Sequence, residues 1–362
     1  MPSRRAPDDD LRVALIGYGL AGATFHAPLI AVTPGMQLVA VVTRDPDRQA
    51  RARREHAGVA VLDAVERLWE RASSLDLVVV ASPNATHAPL ATDALRAGLH
   101  AVVDKPFART AAEARAVVEE SRRRGRVVIP FHNRRWDGDL LTVRRLLDEG
   151  ALGSVRRFES RMERWRPAPK PRWSEPAARE SGEGVLLDLG THLVDQALLL
   201  FGPVTRVYAE LDRRHPAHTV ADDVFLALTH ASGVRSHLYA STAAAVAGPR
   251  MTVLGSRGGY VKRGVDVQEE MLRAGARPDA PGWGEEPADR WGELAVGAEP
   301  RRPVRTEPGA YQRFYAGVVA AIRDRAPAPV APEDAVAGLE VMEAAERAAR
   351  VKRSVKMEWG NG

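Results

Sequence analysis

The chain has no cysteine. This excludes a disulfide framework, a thiolate zinc site and a cysteine nucleophile. It is also poor in lysine: Lys105, Lys170, Lys262, Lys352 and Lys356 are the only five among 52 basic residues, and the other 47 are arginine. Arginine does not titrate in any accessible range, so each lysine stands out as a cation that can lose its proton. Long apolar runs are missing. The longest, such as the one ending at Ala81, fall far short of the roughly 20 residues that span a bilayer. The N-terminus, MPSRRAPDDD, has no apolar core segment, so a secretory signal is not expected. There is no internal repeat and no heptad pattern. These absences predict a soluble, cytoplasmic protein.

With 362 residues and 45% hydrophobic content, the chain can bury a sizeable core in two domains. Its net charge of +5 raises nucleic acid as a partner. Yet arginine sits beside aspartate and glutamate almost everywhere, as in RDPDRQARARREH, which reads as a solvated, salt-laced surface. Neither a nucleic-acid nor a membrane partner is expected.

Residues 1–131 show the βαβ rhythm of a parallel sheet. Strands are predicted at 11–17, 36–42, 74–82, 98–104 and 125–131, with helices near 20–33, 86–97 and 110–124 and another opened by DPDRQARARREH. Near-continuous Val and Leu in these strands, without alternation, predicts a sheet covered on both faces. From residue 132 to 362 the pattern changes. A helix near 136–149 leads to an alternating strand at 154–165, a Pro/Arg/Trp-rich loop at 166–183 and an apolar helix at 185–201. Strands near 204–211, 223–230, 234–241 and 250–262 follow without intervening helices, which predicts an antiparallel or mixed sheet. Residues 276–308 read as a long loop, and helices near 309–325 and 332–352 close the chain. The last is expected to pack back on the first domain.

Gly17-Tyr18-Gly19-Leu20-Ala21-Gly22 is a GxGxxG string between the first strand and a helix. The glycines suit a tight turn, a close approach to a pyrophosphate and tight helix packing. The helix N-terminus would offer free N–H groups to phosphate. At the tip of the second strand stand Thr43 and Arg44. An acidic residue there would take the ribose of NAD; a hydroxyl and a guanidinium suit the 2′-phosphate of NADP. Asp45 reads as the N-cap of the next helix, with Pro46 opening it. NADP(H) is therefore favoured, with NAD(H) as the alternative. Ser82-Pro83-Asn84-Ala85-Thr86-His87 follows another strand, at the carboxyl end of the sheet where ligands of open α/β folds bind. Asp104-Lys105-Pro106 ends the next. A lysine at a strand end, in a chain that otherwise uses arginine, can hydrogen-bond a substrate hydroxyl and stabilise developing negative charge.

Asp188, His192 and Asp195 are spaced i, i+4, i+7 in an otherwise apolar helix, which predicts one polar face. Buried polar groups need partners, so this stripe implies a network or a site. A neutral histidine can take a proton from a hydroxyl while a carboxylate orients it. A satisfied core network is the competing reading. A metal site here, or at His215-His218 with Asp222-Asp223, has no recognised ligand motif, and none is expected. His132-Asn133-Arg134-Arg135-Trp136 lies where the two domains meet. The loop from Trp165 to Trp173 carries Arg164, Arg166 and Arg172. Asn133, Arg134, Trp165 and Arg172 are thus candidate substrate contacts in an interdomain cleft, and a solvated loop is the alternative.

Taken together, GYGLAG with FHAPLI, SPNATH, DKP, FHNRRW, GEGVLLDLGTH with VDQ, and ADDVF resemble the Gfo/Idh/MocA oxidoreductases along the whole chain. The resemblance implies an N-terminal Rossmann domain and a C-terminal α/β domain, whose open, mostly antiparallel sheet forms a homodimer or homotetramer interface. It implies a sugar or inositol-like polyol substrate in the cleft. It makes His192 the general acid/base and puts Lys105 on the reacting hydroxyl, with Asp188 positioning the sugar or His192. It further implies cofactor contacts from Gly17 to Gly22, and from Thr43, Arg44, Ser82, Pro83, Asn84, His87, Asp104 and Lys105. Asp104 stands where glutamate is commonest in the family. A dinucleotide-binding sensor without catalysis, on the same fold, is the alternative.

Overall fold

The computed structural model describes residues 10–166 and 168–359. The N-terminal nine residues, most of the segment read above as lacking a signal, lie outside the described residues, as does Pro167 of the 166–183 loop. Six parallel strands form the first sheet: β1 (Leu11–Ile16), β2 (Met36–Val42), β3 (Ala60–Leu62), β4 (Leu77–Val80), β5 (His100–Val103) and β6 (Val128–Pro130). Their order is β3-β2-β1-β4-β5-β6, the doubly wound Rossmann arrangement. Alternate residues of each strand enter two separate cores. Ala14, Ile16, Val78 and Val80 face one, and Val13, Leu15, Leu77 and Val79 face the other. Apolar side chains on both faces give the unbroken Val/Leu runs of the sequence. β3 escaped the sequence reading because three residues carry no periodicity.

The second sheet has nine strands: β7 (Val155–Glu163), β8 (Val204–Asp212), β9 (Asp223–His230), β10 (Arg235–Ser241), β11 (Met251–Gly255), β12 (Gly258–Lys262), β13 (Gly292–Val296), β14 (Arg302–Val304) and β15 (Val355–Lys356). Their order is β14-β13-β12-β11-β7-β10-β9-β8-β15. All pairs are antiparallel except β7 with β10. β9 alternates strictly between buried and half-buried positions. Val224, Leu226 and Leu228 pack into the core, while Phe225 and its neighbour Tyr239 lie on the open face with ring centroids 4.9 Å apart. Two sequence expectations are corrected here. The segment 250–262 is a hairpin of two strands, and the stretch 276–308, expected as a loop, contributes β13 and β14. β14 is a three-residue edge strand that contains Arg302 and Pro303, and β13 beside it has only five residues, so neither shows a clear alternation.

Both closing helices return to the first sheet. In Gln312–Arg323, Phe314, Tyr315 and Val318 join one core. In Pro332–Val351, Leu339 and Met342 join the other, Glu340 pairs with Arg115, and Glu343 accepts the Ala111 N–H at 2.8 Å. The loops after β4 and β5 also meet the second half of the chain, where Asn84 reaches Gly182 and Lys105 reaches Asp188.

Candidate active site

The turn after β1 is set by its glycines. Gly17 has φ +97°, and a Cβ there would stand 2.2 Å from the Ala81 carbonyl oxygen. Only glycine fits. Over Gly19 the space is open: a Cβ would meet nothing nearer than the Arg48 guanidinium, at 3.6 Å. Leu20 is 56% exposed beside it, at the start of the helical run Ala21–Val32. An open backbone approach, a helix N-terminus and an uncovered apolar side chain fit a dinucleotide pyrophosphate. Tyr18 points elsewhere. It is buried, and its hydroxyl donates to Glu55 at 2.7 Å and lies 2.8 Å from His56. Burial and Glu55 push its phenol above the ordinary value. Asp45 caps the helix Pro46–Glu55, accepting the N–H groups of Asp47 and Arg48. Thr43 is buried and Arg44 is exposed at the tip of β2.

At the ends of β4 and β5 the loops interlock. His87 is buried between the carbonyl oxygens of Pro106 (2.7 Å) and Ser82 (2.8 Å). The Ser82 hydroxyl meets that of Thr86 at 2.6 Å, Pro83 is exposed, and Asn84 donates to the Gly182 carbonyl at 2.8 Å. Asp104 turns inward, accepting the Lys105 N–H at 2.7 Å with His26 at 3.9 Å. Burial would raise its pKa, but the histidines His26 and His87 and the Lys105 ammonium outweigh this and lower it.

Lys105 reaches across to the second half of the chain. Its Nζ donates to the Asp188 carboxylate at 2.7 Å and to the Asp188 carbonyl at 2.9 Å. The same carboxylate accepts from Lys170 at 2.9 Å, with Arg164 at 3.4 Å. Burial acts to raise the Asp188 pKa, yet the two ammonium groups hold it far below the carboxylate range. His192 is buried, and its Nδ1 has no hydrogen-bond partner among the described residues. Burial, with Arg134, Lys105 and His132 nearby, pushes its pKa well below the usual imidazole value. This favours the neutral imidazole, whose unpartnered Nδ1 is open to a hydrogen bond with a hydroxyl. A strand-end lysine, a carboxylate that orders it and a neutral imidazole are the parts needed to move a proton from a hydroxyl.

Residues 11–132 match the family model for an oxidoreductase with an NAD-binding Rossmann fold, and residues 140–261 match that of the GFO/IDH/MocA C-terminal domain. The chain belongs to the Gfo/Idh/MocA oxidoreductase family. It is 40% identical to the uncharacterized oxidoreductase YdgJ of Escherichia coli, over 92% of this chain and 95% of that one. It is 31% identical to the scyllo-inositol 2-dehydrogenase (NADP(+)) IolW of Bacillus subtilis, over 97% of both. Among solved structures, an oxidoreductase from Yersinia pestis is 38% identical with a TM-score of 0.89, covering 98% of this chain and 99% of that one.

Within this family member, the polar stripe expected on one helix face divides in two. Leu186–Gly190 is a π-helical turn, and a regular α-helix runs only from Thr191 to Phe201. Asp188 lies in the π-turn, and His192 and Asp195 lie on the regular helix. Asp188 goes to the lysines, while Asp195 goes to Arg135, which grips it with Nε at 2.9 Å and Nη2 at 2.6 Å. His218 and Asp222 pair with each other at 2.8 Å. Of the candidate substrate residues, Asn133 is buried, and Arg134 sits at the domain junction paired with Glu269 at 2.8 Å. Trp165 is 58% exposed, and Arg172 lies on the surface, 4.0 Å from Glu183. A cavity of about 880 Å³ between Glu183, Leu187, Val220, Leu339 and Met342 is lined by none of Lys105, Asp188 and His192. Sequence reasoning passed over Lys170, although the scarcity of lysine that drew attention to Lys105 applied to it equally.

Proposed function

We propose that the protein is a dehydrogenase or reductase that transfers a hydride between NADP(H), or less readily NAD(H), and a ring hydroxyl or ketone of a sugar or inositol-like cyclic polyol. The observation that carries this reading is Lys105 bound to Asp188 beside a buried, neutral His192. In the oxidation direction, His192 takes the hydroxyl proton as the C–O bond becomes a carbonyl. Lys105 donates a hydrogen bond to the oxygen on which negative charge develops, and Asp188 keeps that ammonium in place. The bound nicotinamide supplies the hydride acceptor. Gly17 to Gly22 and the Ser82–His87 loop are the residues that would hold the dinucleotide.

Two observations support NADP. Asp45 is occupied as a helix cap, and the Arg48 guanidinium stands over Gly19 while Arg44 is exposed just past the end of β2. IolW, by its name, uses NADP(+) and scyllo-inositol. A cytoplasmic location and a homodimer or homotetramer through the open face of the second sheet, around Phe225 and Tyr239, complete the reading.

A panel of polyols and their ketones, assayed with both cofactors, tests it. Lys105→Ala or His192→Ala should lower turnover by about 10²- to 10⁴-fold while cofactor still binds. Near-wild-type turnover in either variant would sink the assignment. Arg44→Asp should shift preference toward NAD by about tenfold; an unchanged ratio removes Arg44 from the phosphate site.

A further inference from the structure

We propose that Lys170 is a positioning residue of this site: it fixes Asp188 through the second carboxylate oxygen, so that the first is presented to Lys105. This rests on the hydride-transfer reading above. Lys105 binds Oδ1 at 2.7 Å and Lys170 binds Oδ2 at 2.9 Å, with Arg164 behind at 3.4 Å. A carboxylate held by one oxygen turns freely about its last bond, because that torsion has a broad well. Held at both ends, it aims one lone pair at the Lys105 ammonium.

Lys170 is itself held. Its ammonium lies 3.9 Å over the ring of Trp173, which is 2% exposed. Its backbone N–H donates to His218 Nε2 at 3.2 Å, and the other ring nitrogen of His218 pairs with Asp222. The Trp173 carbonyl accepts the Thr219 N–H at 2.8 Å. The far end of the same segment is tied to the first domain: the Gly182 carbonyl accepts from Asn84 and the Glu180 carbonyl from Arg109, each at 2.8 Å. Lys170 thus belongs to a strap that runs from the carboxylate of the site to the loop after β4. A flexible surface lysine would have no such anchoring, and a surface ion pair contributes little.

The charged groups around this pair are Lys105 from the β5 end, Arg164 and Arg166 from the segment after β7, and Arg134 and Glu269 at the domain junction; the titratable His192 faces it from the helix. Burial, with Arg164 and Arg166, lowers the pKa of Lys170 below the ordinary lysine value, against the opposing pull of Asp188. Lys170 therefore loses its charge at a lower pH than a solvated lysine. An arginine in its place would stay charged.

Five lysines make the test direct. In protein labelled with ¹⁵N at lysine Nζ, each signal is assigned by a single Lys→Arg change. In Lys170→Met the Lys105 signal should shift or broaden; an unmoved signal overturns the proposal without reference to any substrate. On a polyol that the wild type oxidises, Lys170→Met should lower kcat by about ten- to a hundredfold with KM changed less than about threefold. Lys170→Arg should restore kcat to within about threefold and move the alkaline limb to higher pH. Wild-type kcat in Lys170→Met, or a rise in KM alone, overturns it. If the Met variant does not fold, Lys170→Gln carries the same measurements. A wild type inactive on every polyol defeats the reaction assigned above, while the lysine spectra still decide the role of Lys170.

Discussion

Asp188 and Asp195 stand seven residues apart on one helical run and serve opposite ends. Asp195 is closed: Arg135 grips it twice, and the two side chains are 9% and 5% exposed. Asp188 is open: its side chain is 29% exposed, and Lys105, Lys170 and Arg164 share its two oxygens. A buried carboxylate with one bidentate partner has its charge and lone pairs satisfied, and it belongs to the scaffold. A carboxylate outnumbered by cations at a cleft leaves positive charge and N–H groups for a third party. Access and an excess of partners, rather than spacing or residue type, separate the two.

Exchanging each for its amide tests the contrast most strongly. Asp188→Asn should lower kcat by about 10²- to 10³-fold and shift unfolding in urea by less than about 1 kcal/mol. Asp195→Asn should cost about 3–5 kcal/mol of stability, because it leaves the buried Arg135 poorly matched. A destabilised Asp188→Asn beside a fully stable Asp195→Asn would invert the comparison. Acid titration sharpens it. Burial would raise the Asp195 pKa, but His132 and Arg135 lower it below the ordinary value. Its stabilisation is present above the unfolded value of about 3.9 and is lost as pH falls through the lower folded value. Asp195→Asn should therefore flatten the stability curve below about pH 4. The smallest effect concerns His192. Because its pKa lies well below the usual 6.5, the base form persists to lower pH. The value of kcat/KM for alcohol oxidation should show no acid limb from this ring near pH 6.5; a limb there that disappears in His192→Ala would show the imidazole to be hydrated.

The Rossmann half was largely legible, because strands covered on both faces must be continuously apolar and the glycine turn admits little else. The pairing of Lys105 with Asp188 joins two segments that the sequence singled out separately. The division of the stripe was not legible: a π-turn at Leu186–Gly190 changes which side chains share a face without changing composition. Nor were β13 and β14: β14 is a three-residue edge strand in which Arg302 and Pro303 replace an alternating pattern, and the five residues of β13 follow a stretch rich in proline and charge. Lys170 lies in a Pro- and Arg-rich stretch that resembles solvent-facing loop, and only the fold brings Trp173 and Asp188 to it.

The scarcity of lysine has a practical side. Lys262 is sealed in with Glu286, 1% exposed, and Lys105 and Lys170 are bound to Asp188. Among the described residues, Lys352 and Lys356 are the exposed lysines, one at the end of the last helix and the other in the last strand. Of the lysines, amine-reactive labels and coupling surfaces will engage chiefly these two and react far more slowly with those of the cleft. A protein tethered in this way keeps its candidate chemistry unmodified.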